Sequence, residues 1–286
     1  MRVLVTGSRG MLGTDVVTLF QQTHDVFGLD LHNGNILDAA QVDAIVAQFR
    51  PDAIIHAAAY TNVDQAEADE AGAIALNETG TKHLALAAKA HGAKLVYIST
   101  DYVFDGTKRT PYLVSDEPHP LGVYGRSKWL GERQAQTILD PSRWLIVRTA
   151  WLYGLRGKNF VETILRLAQQ QNPLRVVNDQ TGAPTYTQDL ARGLLALLEH
   201  HASGIVHLTN SGQCTWHEFA RMILDAAGLA QVEIEPITTA ELRRAAPRPG
   251  FSVLDLSTFA ALTGQSVRHW KDGLLAYLQE RHEHQL

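Results

Sequence analysis

In the first half of the chain, short apolar runs rich in β-branched residues alternate with longer stretches whose apolar positions recur at helical spacing. Runs at Arg2 to Val5, Asp25 to Leu29, Asp52 to Ala57, Lys94 to Ser99 and Trp144 to Arg148 predict strands. Their apolar content is nearly continuous, the pattern of parallel strands covered by helices on both faces. Ala- and Leu-rich segments between them predict helices after Gly13, from Asp38 to Phe49 and from Glu70 to His91, with Gly92 as the stop of the last. This alternation predicts βαβ units, hence an α/β fold on a doubly wound parallel sheet.

Past Trp151 the rhythm changes. Helical patterns near Phe160 to Gln170, Asp189 to His200, Trp216 to Ala227 and Lys271 to His282 are separated by single short strands. Pro111, Pro118 and Pro120 mark a loop before Tyr124, and Pro236, Pro247 and Pro249 punctuate the last quarter. The expected layout is a nucleotide-binding domain at residues 1–150 and a smaller, mixed α/β C-terminal domain at 151–286, with residues 178–200 rejoining the first.

Composition narrows the class. The chain has 286 residues, 45% hydrophobic, with 25 Lys and Arg against 30 Asp and Glu, a formal net charge of −5. That apolar fraction suits a folded core and not a disordered chain. The acidic balance argues against a nucleic-acid partner. Cys214 is the single cysteine, which excludes an intrachain disulfide and a cysteine-built zinc site. No apolar run reaches the ~18 residues of a membrane span, and the apolar stretch before Gly7 is too short for a signal peptide. A soluble, cytoplasmic protein without membrane contact is expected. His282 and His284 read as a polar tail.

Candidate chemistry begins at Gly7-Ser8-Arg9-Gly10-Met11-Leu12-Gly13, directly after the first strand and opening a helix. Glycines there let the backbone turn sharply and approach a pyrophosphate, while the helix N-terminus offers N–H groups and a positive dipole end. The spacing is Gly-x-x-Gly-x-x-Gly, and alone it marks only a tight turn. Asp30 lies 20 residues beyond Gly10, close to the ~20 at which an acid meets the adenosine ribose. Together they predict dinucleotide binding. Asp30 opposes a 2′-phosphate and Arg9 favours one, so NADH and NADPH both stay open.

Tyr124 and Lys128, four apart, would project from one helix face. A phenol with a pKa near ~10 is a poor acid at neutral pH, and a neighbouring ammonium brings it closer to working range. Such pairs occur by chance in many helices. Thr100 adds specificity: it stands at the end of a predicted strand, at the carboxyl edge where open α/β sheets bind ligands.

Glycine turn, strand-end Thr100 and Tyr124-x-x-x-Lys128, in this order, resemble the extended short-chain dehydrogenase/reductase superfamily. Ala57 to Asp64, Ser99 to Phe104, Arg148 to Gly154, Asn178 to Thr185 and Arg248-Pro249 are similar to its dTDP-4-dehydrorhamnose reductase family, and the resemblance runs along essentially the whole chain. It implies a Rossmann-like first domain and a C-terminal substrate domain. The implied activity is NADPH- or NADH-dependent reduction of the 4-keto group of dTDP-4-dehydro-L-rhamnose. Carried over by position, Thr100, Tyr124 and Lys128 would be catalytic. Gly7, Gly10, Met11, Leu12 and Gly13 would line the pyrophosphate turn, with Asp30 on the ribose and Asn35 and Ile36 beside the adenine. Ala59, Tyr60 and Thr61 would follow the cofactor, joined by Tyr124 and Lys128. Thr61, Val63, Thr100, Asp101 and Trp151 would face the deoxysugar, and Arg248 the nucleotide diphosphate. Some relatives hold Mg2+ at a dimer interface through carboxylates, and Asp15 stands where one such ligand is a glutamate, so a monomer or homodimer and a metal are both open.

The same superfamily contains dehydratases, 4-epimerases and a regulatory subunit of methionine adenosyltransferase. A dehydratase carries an Asp-Glu pair after the strand-end threonine. Here the pair is Asp101-Tyr102, which disfavours elimination. An epimerase retains its NAD, whereas a reductase consumes reduced cofactor, and a regulatory subunit turns nothing over.

Overall fold

The computed structural model describes residues 1–284. Strands β1 (Arg2–Thr6), β2 (Asp25–Leu29), β3 (Ala53–His56), β4 (Lys94–Thr100) and β5 (Trp144–Thr149) match the five predicted runs within one residue at each end. Short strands β6 (Leu152–Tyr153), β7 (Leu174–Val177), β8 (Thr181–Gly182) and β9 (Thr185–Tyr186) follow. Then come β10 (Gly204–His207), β11 (Cys214–Thr215) and β12 (Ile234–Ile237). The first five and β10 form one parallel sheet in the order β10-β5-β4-β3-β1-β2, and the others pair as β11-β8, β12-β7 and β6-β9.

The helices are α1 (Met11–Phe20), α2 (Ala39–Phe49), α3 (Val63–Ala68), α4 (Glu70–Ile74), α5 (Gly80–His91) and α6 (Val123–Ile138), then α7 (Phe160–Ala168), α8 (Thr187–Glu199), α9 (Trp216–Ala226), α10 (Thr239–Leu242), α11 (Ser257–Thr263) and α12 (Trp270–Glu283). The first begins at Met11, so Gly13 sits inside it and not ahead of it. The helix predicted over Glu70 to His91 is one rod with a wide π turn at Ala75–Thr79 between α4 and α5. Six residues are too few for α3 to show a period, although Asn62 caps it by accepting the Gln65 N–H.

Alternation along β1 shows why its residues read as continuously apolar. Val3 and Val5 enter one core with Val16, Phe20, Leu190, Leu194 and Val206. Leu4 enters the opposite core with Val42, Val46, Ile54, Leu84 and Leu95. Helix α8 lies against α1, and β10 extends the sheet beside β5. A third core, around Tyr153, Ile164, Phe219, Trp270, Leu274 and Tyr277, lies among α7, α9 and α12. From β1 the chain passes to β2 on one side and to β3 on the other, so the topological switch point lies between β1 and β3, where α/β sheets open a crevice for ligands.

Candidate active site

The turn after β1 is closed so tightly that a side chain has no place at Gly7 or Gly13. Gly7 has φ +65°, and a Cβ there would stand 2.7 Å from Ala58 N. At Gly13 a Cβ would meet the Gly7 carbonyl oxygen at 2.0 Å. Gly10 donates its N–H to that same oxygen at 2.9 Å and caps α1 without a side chain. The result is a bare helix N-terminus at the switch point, which suits a pyrophosphate. Asp30 is tied to the turn: its Oδ2 accepts the Arg9 N–H at 3.0 Å and its Oδ1 the Leu31 N–H at 2.8 Å. Asn35 is exposed. The Ile36 side chain packs beneath Gly80 in the core and its carbonyl meets His83 at 3.0 Å, so its backbone is the part available to an adenine. Gly13→Ala is expected to weaken cofactor binding at least ~10-fold and to cost roughly 1–3 kcal/mol of stability, since every atom it strikes is backbone. Gly10→Ala, whose Cβ would come no closer than 3.1 Å, is expected to fold with much smaller loss. Cofactor titration and thermal melts of both variants check this.

The loop after β3, carrying Ala59, Tyr60 and Thr61, is pinned by a residue that sequence reasoning missed. Asn77, buried in the π turn, accepts the Tyr60 N–H at 2.8 Å and donates to Tyr60 O at 3.2 Å and to Ser127 Oγ at 2.9 Å. The wide turn aims this amide out of the helix ladder, a use of π turns common at functional sites. Its one sequence signal is a polar residue inside an Ala- and Leu-rich helix. Behind it, His56 bridges Thr6 Oγ1 (2.8 Å) and Thr81 Oγ1 (3.1 Å), and burial pulls the imidazole down to about 3, so it stays neutral.

Thr100, Asp101 and Tyr124 are brought together at the carboxyl end of β4. Thr100 Oγ1 accepts the Tyr102 N–H at 3.2 Å and donates to Asp101 Oδ1 at 3.1 Å, and the Thr100 hydroxyl and the Asp101 carboxylate both act on the Tyr124 phenol. Burial pushes Tyr124 up to about 12; the Thr100 bond lowers it and the Asp101 carboxylate raises it. Lys128 is buried one turn along α6 from Tyr124. Its Nζ donates to Ile98 O at 2.6 Å and sits 4.1 Å from the Tyr97 ring centroid. Burial pulls the ammonium down to about 7, with Glu132 holding it up. The expected lowering of the phenol by this ammonium is therefore replaced by a rise, because desolvation dominates at Tyr124.

Asp101 is 1% exposed, and burial pushes its carboxyl up to about 6. Its Oδ2 has no partner at hydrogen-bond geometry among the described residues, although the Ser252 hydroxyl acts on the carboxylate from the neighbouring segment. A raised folded-state pKa means that the fold binds more protons than the unfolded chain between the two pKa values. Asp101 therefore lowers stability as pH rises through about 6, and the loss is complete above it. Asp101→Asn is expected to melt higher than the parent at pH 8, by up to about 3 kcal/mol. The gain should vanish near pH 4, as thermal melts at both pH values would show.

Helix α6, which carries Tyr124 and Lys128, is anchored by a fully buried ion pair also missed in the sequence. Arg148 on β5 donates from Nε to Glu132 Oε1 at 2.9 Å and from Nη2 to Oε2 at 2.7 Å, with Ser99 Oγ on Oε1 at 2.5 Å. The Arg148 guanidinium also lies 5.1 Å from the Phe104 ring centroid. Glu132 stands one turn beyond Lys128, the only hint that spacing offered.

On the substrate side, Thr61 is exposed and Val63 opens α3 half-buried. Trp151 takes a left-handed backbone (φ +49°), rare for a bulky residue. Its indole stacks on Trp216 at 3.5 Å between centroids and 6° between planes, and Gly182 leaves it room on the strand side. Trp216, whose Nε1 donates to Gln180 Oε1 at 3.2 Å, went unremarked in the sequence because it reads as a helix-start core residue. Arg248 is less free than expected for a diphosphate ligand: its Nη2 lies 2.9 Å from Asp64 Oδ2, and it also acts on Tyr102. Asp15 accepts from Thr187, and burial raises its carboxyl, with Glu280 adding to the rise. Among the described residues no group of three or more His, Cys, Asp or Glu gathers as metal ligands. No helix is long and apolar enough to cross a membrane among the described residues.

Comparison with known proteins agrees with this geometry. The profile of the RmlD substrate binding domain matches residues 1–283. The chain is 42% identical to a dTDP-4-dehydrorhamnose reductase of Streptomyces griseus over 282 residues, covering 96% of this chain and 91% of the relative. It is 40% identical to a dTDP-4-keto-6-deoxy-D-glucose reductase of Streptomyces niveus over 276 residues, covering 96% and 95%. The crystal structure of dTDP-4-dehydrorhamnose reductase from Bacillus anthracis in complex with NADP superposes with a TM-score of 0.94 at 38% identity, covering 98% of this chain and 99% of that one. Near-complete coverage in sequence and fold places this chain in the dTDP-4-dehydrorhamnose reductase family.

Proposed function

We propose that this protein reduces the 4-keto group of dTDP-4-dehydro-L-rhamnose to the alcohol of dTDP-L-rhamnose, with a reduced nicotinamide as co-substrate and Tyr124 as proton donor. The observation that carries the reading is the Thr100–Tyr124–Asp101 cluster at the end of β4, two strands along the sheet from the glycine turn after β1. When bound, the nicotinamide supplies the hydride. Thr100 holds the carbonyl oxygen, and Tyr124, neutral at working pH because burial holds its phenol up to about 12, gives its proton to the emerging alkoxide. Lys128, with a pKa near about 7, is ready to hold the nicotinamide ribose as an ammonium. Residues 1–150 with α8 would hold the cofactor and the remainder the nucleotide sugar.

Elimination of water is disfavoured by Tyr102, a half-buried phenol whose pKa desolvation pushes up, at the place where a second carboxylate would be needed. The test follows NADH and NADPH by absorbance with enzymatically prepared dTDP-4-dehydro-L-rhamnose. One cofactor oxidised per alcohol formed supports the reading. Isomerisation without net oxidation would make the protein an epimerase, and binding without turnover a regulatory subunit. The ratio of the two rates reports the balance between Asp30 and the exposed Arg9 at the ribose 2′ position.

A further inference from the structure

We propose that Glu67 is a positioning residue for Tyr124: from the short helix α3 its carboxylate closes the open N-terminus of α6 and so fixes the turn that carries the phenol. The inference rests on the reading of Tyr124 as proton donor and adds a residue that acts on it through the backbone just ahead. It comes from the way α6 begins.

The first N–H groups of an α-helix have no partner within it. Helix α6 follows Gly122, which has no side chain to cap it, and its first turn holds no acidic residue. The Val123 N–H is taken from outside, by Glu67 Oε1 at 2.8 Å, and a carboxylate there also meets the positive end of the helix dipole. Tyr124 is the next residue. A Cβ at Gly122 would stand 2.6 Å from the same Oε1, so the bare N-cap leaves the carboxylate room to approach. The rest of the turn is fixed as closely. Ser127 Oγ donates to Tyr124 O at 2.8 Å, and a Cβ at Gly125 would stand 2.1 Å from Tyr102 O. Arg126, on the same turn, pairs with Glu70 of α4.

Glu67 can serve as a fixed point because α3 is itself held. Asn62 caps it by accepting the Gln65 N–H at 3.2 Å, and Ala66 is fully buried. Asp64, one turn before Glu67, accepts the Ala246 N–H at 3.2 Å and an Arg248 Nη2 proton at 2.9 Å, which ties the helix to the segment before Pro249. Glu67 is half-buried, so its bond to Val123 is partly shielded from water. Misplacing a reacting group by about 1 Å can cost on the order of 10²-fold in rate. A side chain that sets the residue ahead of Tyr124 therefore reaches the rate without reaching the reaction. The role asks for a hydrogen-bond acceptor at a set distance from α3, which an amide of the same length supplies and a shorter carboxylate does not.

The test is the stopped-flow rate of cofactor oxidation, on the full chain with its preferred reduced cofactor and dTDP-4-dehydro-L-rhamnose, for Glu67→Gln, Glu67→Asp and Glu67→Ala. Glu67→Gln should stay within about threefold of the parent, because its amide oxygen accepts the same N–H at the same reach. Glu67→Asp and Glu67→Ala should lose at least ~10-fold in kcat, while cofactor affinity and KM for the sugar stay within about twofold. Glu67→Asp keeps the charge, so it decides the matter even where Glu67→Ala does not fold. A Glu67→Asp enzyme with the parent kcat overturns the proposal, whatever its melting temperature. Equal loss in Glu67→Gln and Glu67→Asp overturns it too, since an acceptor of the right reach would then not be enough. Tyr124→Phe run alongside separates the two levels: turnover retained there removes Tyr124 as donor, whereas turnover lost there with a parent-like Glu67→Asp removes only the positioning role.

Discussion

Tyr124→Phe is expected to lower kcat about 10²–10⁴-fold, the range for removal of a general acid, while cofactor affinity stays within about twofold. The phenol oxygen is the one atom removed, and the ring keeps its edge contact with Tyr102 at 5.6 Å between centroids. The Thr100 hydroxyl keeps Asp101 and the Tyr102 N–H, so the end of β4 should hold its shape. The cofactor turn after β1 contains no atom of Tyr124. A stopped-flow trace of the variant, with a parallel cofactor titration, checks both halves. A Phe variant with kcat within tenfold of the parent would move the donor role to another group.

The second large effect is on stability and reaches the site through α6. Glu132→Gln is expected to destabilise the protein by about 3–5 kcal/mol, the cost of leaving one partner of a buried ion pair uncompensated. Arg148 and Glu132 side chains are each 2% exposed, so water cannot take over for the lost charge. The melting temperature should fall by roughly 6–20 °C. Arg148→Met alone should be similarly damaging, and Arg148→Met with Glu132→Leu should recover much of the loss, since an apolar pair of similar volume removes both charges. Thermal melts of the three variants decide it. A Glu132→Gln protein as stable as the parent would show that the pair does not anchor α6.

Much of the fold was legible because it rests on periodicity. Five strands read from apolar runs are five of the six in the parallel sheet, and the helix from Asp38 ends where Phe49 closes its apolar face. The sixth strand, Gly204–His207, was not read. Its four residues lie far in sequence from the neighbour that pairs with them, and no local signal encodes that return. The π turn was invisible for a similar reason: residues 75–79 have helical composition, and the wide turn goes with what Asn77 binds far along the chain, the Tyr60 backbone and Ser127. The glycine turn and Thr100 were readable because their chemistry needs particular residue types at strand ends. The partner of Lys128 was not, because spacing puts it on the helix face of Tyr124 and gives no sign of the buried Ile98 carbonyl that takes its Nζ. Arg248 was likewise read as an available charge, since nothing local reveals Asp64, 184 residues earlier, as its partner.

The most direct test of the reductase reading is the fate of a label. Cofactor carrying deuterium at the transferable position of nicotinamide carbon 4 would be incubated with the protein and dTDP-4-dehydro-L-rhamnose, and the sugar product examined by NMR and mass spectrometry. The proposed chemistry places one deuterium per product on sugar carbon 4, with the hydroxyl proton drawn from solvent. Product without the label, or a label at any other carbon, would contradict it.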